Sequence, residues 1–157
     1  MTLLEALLAS TILAACAFAV TTPFAASAQN DQTQQRWTLA TCLAQEMMEE
    51  ILSKPFKDPQ GSVACGPDSG EGSRMQFDNV DDYQGFTETA GHIADAAGAV
   101  CASDAAAGLS RRVTVEYVYL PGQQTQHPAS FARVIVEVRH LDVPVITLTR
   151  LVYDMGQ

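Results

Sequence analysis

The stretch "MTLLEALLASTILAACAFAVTTPFAASAQN", residues 1–30, decides how the rest of the chain is read. From Leu3 to Ala28 it is apolar or small, with a few hydroxyls and one carboxylate, Glu5. The first basic residue is Arg36. Coiled as a helix at about 1.5 Å per residue, the run is long enough to cross the roughly 30 Å hydrocarbon core of a bilayer. Such a segment can be a secretory signal, a single-span anchor, or a helix that leaves lipid to pack elsewhere. "ASA" at 26–28 suits signal cleavage before Gln29, but the basic leader region of a signal peptide is missing. An ordinary anchor has basic flanks that set its orientation, and it gives Glu5 nothing to do.

Working outward, the 157 residues make room for one modest domain, and 47% hydrophobic residues are enough for a core. The net charge of −9 argues against nucleic acid or an anionic membrane surface as a partner, since both repel an acidic body. Residues 1–35 hold only Glu5 and Asp31 as charged groups, so an apolar front precedes an acidic remainder. Past the polar "QNDQTQQ" at 29–35, Trp37, Ala40, Leu43, Ala44, Met47, Ile51 and Leu52 recur at three- and four-residue steps. That spacing predicts an amphipathic helix with Glu46, Glu49 and Glu50 opposite, and Trp37 and the methionines in the core. Lys54 and Pro55 end it, because proline cannot donate to the preceding turn. One long helix over about 2–53 is therefore expected, kinked or locally melted near Pro23, where Thr21 and Thr22 are placed to satisfy freed carbonyls.

Three alternating segments follow: "RRVTVEYVYL" at 111–120, "FARVIVEVRH" at 131–140 and "VPVITLTRLVYD" at 143–154. Their β-branched alternation predicts antiparallel strands. Val113, Val115 and Tyr117, then Val134, Val136 and Val138, then Ile146, Leu148 and Val152 point inward. Residues 121–129 form a hairpin loop and "LDVP" a tight turn. Three strands do not bury their apolar faces alone, and the stripe at 37–52 is the natural cover. The fold class is α+β. The expected parts are a transmembrane or filament-core helix at 1–28, its amphipathic continuation at 29–54, and a head at 55–157. The head divides into a loop region at 55–110 and a meander at 111–154.

The start "MTLLEALLASTILA" resembles the mature N-terminus of type IV pilins and type II secretion pseudopilins. Thr2, Leu3, Leu4 and Glu5 match that family's core motif, Pro23 falls near its helix-kinking proline, and Met1 stands where phenylalanine is usual. "LAQEMMEEILSKPFKDP" and "FDNVDDYQGFTE" are similar to stretches in minor pilins of the mannose-sensitive haemagglutinin type and in pseudopilins. The resemblance implies a structural subunit of a pilus or pseudopilus with no enzymatic activity. A prepilin peptidase makes Met1 the first residue, with N-methylation, and Glu5 pairs with the Met1 amine of a neighbouring copy. The implied partners are itself or other pilins, an assembly ATPase and a platform protein. The subunit waits in the inner membrane and then joins an extracellular or periplasmic filament serving adhesion, motility or secretion. The alternative is a secreted or membrane-anchored binding domain that forms no filament.

Few residues suggest chemistry. Cys65 and Cys101 lie in loop-like sequence and are the expected disulfide if the head is outside the cytoplasm. Pairings with Cys42 stay open, and Cys16 is a small buried thiol. Asp78, Asp81 and Asp82 form an acidic loop, which is the one candidate for calcium and otherwise a solvated turn. His92, His127 and His140 have no ligand spacing among them. Arg133, Arg139 and Arg150 are placed to pair with neighbouring copies.

Overall fold

The computed structural model describes residues 2–61, 64–122 and 129–153. The chain is α+β, with one long N-terminal helix and a four-stranded antiparallel sheet. Its contacts divide it into two compact units, Met1–Arg36 and Trp37–Gln157.

The first unit is made of helix α1, Leu3–Leu52, up to Arg36. Leu3–Thr21 is the one segment among the described residues that is long and apolar enough to cross a membrane or serve as a signal anchor. None of it is buried within the chain. α1 runs through Pro23 unbroken, so the local melting expected there does not occur. Pro23 has no N–H to give to the carbonyl of Ala19, one turn back. The Thr21 hydroxyl does not compensate that group. It donates to the carbonyls of Ala17 at 3.0 Å and Phe18 at 3.3 Å.

The second unit holds the core. Ala40, Leu43, Ala44, Met47, Met48 and Ile51 of α1 are all buried. They form one apolar cluster with the inward side chains of the sheet, chiefly Val113, Val115, Val134, Val136 and Val138. The period of 3.6 along the helix and of 2 along each strand brings these residues to facing surfaces. The stripe is shorter than its sequence pattern. Trp37 is 55% exposed and Leu52 44% exposed, so Trp37 is not a core residue. The helix ends as its sequence predicts: Ser53 N–H reaches back to the Glu49 and Glu50 carbonyls, and Pro55 follows.

The strands are β1 (Thr87–Glu88), β2 (Leu109–Val118), β3 (Phe131–His140) and β4 (Val143–Tyr153), in the order β1-β2-β3-β4. β1, a two-residue edge strand, is too short to leave an alternating pattern in the sequence. Across the sheet Val113, Val136 and Leu148 lie side by side, as do Tyr117, Ala132 and Val152. The expected inward faces are therefore the observed ones. Leu141 (φ 49°) and Asp142 (φ 65°) make the two-residue turn from β3 to β4. Positive φ at both positions gives the turn the twist that matches its strands. Residues 123–128 of the other hairpin loop, including His127, lie outside the described residues.

The loop region 55–107 is ordered by short polar caps. Asn79 Oδ1 accepts from the N–H of Asp81 (2.9 Å) and Asp82 (3.1 Å). Asp82 Oδ2 accepts from the N–H of Asp78 (2.8 Å) and Asn79 (2.9 Å). This turn seats Phe77 and Tyr83 edge to face with their centroids 5.0 Å apart, and Phe86 packs on both rings. Asp81 and Asp82 are buried, so the solvated acidic turn expected here is a structural one. In the stretch at 91–108, Asp95 Oδ1 accepts from the N–H of Ala97 and Ala99, closing a small ordered loop.

The four cysteines are free thiols. The expected Cys65–Cys101 bridge is absent because the two sulfurs address different groups. Cys65 Sγ lies 3.9 Å from the Val115 carbonyl, and Cys101 Sγ lies 3.8 Å from Ser103 Oγ. Cys16, expected to be buried, is exposed within the single chain, as is Cys42.

Candidate functional site

The first residues of α1 form a reciprocal cap. Glu5 Oε2 accepts from the Thr2 backbone N–H at 3.0 Å, and Thr2 Oγ1 accepts from the Glu5 N–H at 3.4 Å. Thr-x-x-Glu is a capping box: it satisfies two N–H groups that a helix start leaves without partners, and its anion sits at the positive end of the helix dipole. The three-residue spacing of Thr2 and Glu5 is the sequence signal for this cap. Glu5 therefore has a partner within its own chain, a backbone N–H rather than the Met1 amine expected to pair with it. Met1 and its amine lie outside the described residues.

Beyond the cap, α1 displays Leu3, Leu4, Leu7, Leu8, Ile12, Leu13, Phe18, Val20 and Phe24, each more than half exposed. Fully burying such side chains is worth about 1.5–3 kcal/mol apiece, so the row carries a drive on the order of 15–25 kcal/mol toward an apolar environment. Hydroxyls along it do not oppose that transfer. Ser10 and Thr11 donate back to the carbonyls of Leu7 (2.9 Å) and Leu8 (2.8 Å).

The second unit contains a buried ionic network. Arg111 is 1% exposed and lies on the inward face of β2. Its Nε donates to Glu88 Oε2 at 2.6 Å, and its terminal nitrogens donate to the carbonyls of Leu43 (2.9 Å) and Ala94 (2.8 Å). Arg74 donates to Glu50, to Glu88 and to the same Ala94 carbonyl. Tyr83 Oη donates to Glu50 Oε1 at 2.7 Å. The helix, the loops and β1–β2 are thus joined by two arginines and two glutamates. Burial alone would raise the Glu50 carboxyl, but the hydrogen bonds from Arg74 and Tyr83 and the Arg74 charge hold it below its ordinary value. Burial lowers the Arg111 pKa against the pull of Glu88. Alternation gives Arg111 the parity of Val113 and Val115, and this was the available signal for the network. Glu50, expected on the solvent side, belongs to the network instead.

The acidic residues divide. Glu71, Asp78 and Asp82 bring one carboxylate oxygen each to within 4.8 Å of one another. Asp81 is not among them and instead accepts from Tyr117 Oη at 2.8 Å. Burial raises the Asp81 carboxyl in spite of that bond. Glu71 is also raised: its bond from the Asp68 backbone favours ionisation, but burial and the Asp82 and Asp78 carboxylates outweigh it. Calcium takes six to eight oxygens, and one oxygen of Asp82 is already engaged by two backbone N–H groups. Three carboxylates are a partial set for such a cation.

Of the strand arginines, Arg133 pairs with Glu116 at 2.6 Å and Arg139 approaches Glu137 at 4.0 Å, both within the chain. His92 bonds locally near Thr89 and Ala90, and His140 lies against Gly108, so the two share no site. A cleft of about 590 Å³ at the end of α1 is lined by Leu52, Phe56, Val152 and Tyr153 among others.

Against known protein families, curated proteins and solved structures, the chain has no match.

Proposed function

We propose that this protein is a structural subunit of a pilus-like or pseudopilus filament, held in a membrane by the start of α1 until it assembles. The observation that carries the reading is the row of exposed large apolar residues from Leu3 to Phe24, interrupted only by Glu5 among charged groups. A helix apolar on all sides needs lipid or other helices around it, and side-by-side packing of copies supplies the second environment. The motif Thr2-Leu3-Leu4-Glu5 and the helix-on-sheet head support the same reading. Glu5 keeps its Thr2 cap and uses its other carboxylate oxygen to receive a cationic group from the neighbouring copy. A dry interior makes that pairing selective, since an unpaired carboxylate there is costly. The peptidase, platform and ATPase of such systems act on the subunit, which does no catalysis of its own.

Two substitutions separate the cap from the assembly role. Glutamine serves a capping box as well as glutamate. Glu5→Gln therefore keeps first-turn amide protection while filament yield falls at least tenfold, and Glu5→Val loses both. Normal filaments from Glu5→Gln would remove the charge from the assembly step. Mature protein beginning at Gln29 by mass spectrometry would make residues 1–28 a signal peptide and end the filament reading in favour of a secreted domain.

A further inference from the structure

We draw no further inference here: the strongest candidate, the carboxylate cluster that Glu71, Asp78 and Asp82 form in the loop region between α1 and the sheet, carries none, because nothing in the structure beyond the three acids themselves points to a ligand.

Discussion

At the scale of single residues, two buried charges behave in opposite ways. Arg111 is nearly inaccessible, and Glu88 is the anion that neutralises it. Removing one partner of a buried pair leaves an uncompensated charge, so Glu88→Ala is expected to cost about 3–5 kcal/mol by denaturant unfolding of the full chain. Asp81 is a buried carboxyl whose side-chain partner, the Tyr117 hydroxyl, is neutral, and burial raises its pKa above 3.8. A carboxyl raised in the fold binds its proton more tightly there than in the unfolded chain. Ionised Asp81 therefore opposes folding at neutral pH. Asp81→Asn keeps an acceptor for Tyr117 and should stabilise the protein at pH 7. The gain should shrink as pH falls through the folded pKa and be gone below about 3.8, the unfolded value. Glu50 has the other sign. Its pKa lies below 4.5 in the fold, so its contribution is present above 4.5 and is lost as pH falls through the folded value. Unfolding curves recorded from pH 7 to pH 3 on Glu50→Gln and Asp81→Asn separate the two.

At the scale of elements, the β3–β4 turn and α1 each hold a compromise. Leu141 and Asp142 both adopt positive φ, which costs a non-glycine residue on the order of 1 kcal/mol. Asparagine followed by glycine is the pair best suited to that turn. Leu141→Asn with Asp142→Gly should raise stability by about 1 kcal/mol and leave strand register unchanged, as read from the thermal midpoint and cross-strand contacts by NMR. α1 is apolar on all sides before Pro23 and one-sided after Leu39, and its buried stripe runs only from Ala40 to Ile51. Trp37 continues the spacing of that stripe but lies outside it, because periodicity reports which face a residue occupies and not where the covering sheet stops.

At the scale of the whole molecule, every buried hydrophobic residue among the described residues lies at or beyond Ala40, so the core they form belongs to the unit Trp37–Gln157. That unit expressed alone, from residue 37, should unfold cooperatively with the same near-ultraviolet circular dichroism and sheet amide protection as the full chain. Loss of either would make the preceding helix part of the fold. The long helix, the three longer strands, their inward faces and the apolar front were legible in the sequence, because each is a local periodicity that one segment carries by itself. The Thr2–Glu5 cap was legible too, as a spacing of three residues. Other features had no local sign. β1 is two residues paired to Arg111 and Arg112 across the sheet. The buried network joins Glu50, Arg74, Glu88 and Arg111 from four separate stretches of the chain. The absence of a Cys65–Cys101 bridge and the parting of Asp81 from Asp78 and Asp82 follow from where loops come to rest. Hydrophobic patterning acts over a few residues and so determined the elements, whereas partners distant in the chain are chosen only when packing brings them within hydrogen-bonding reach.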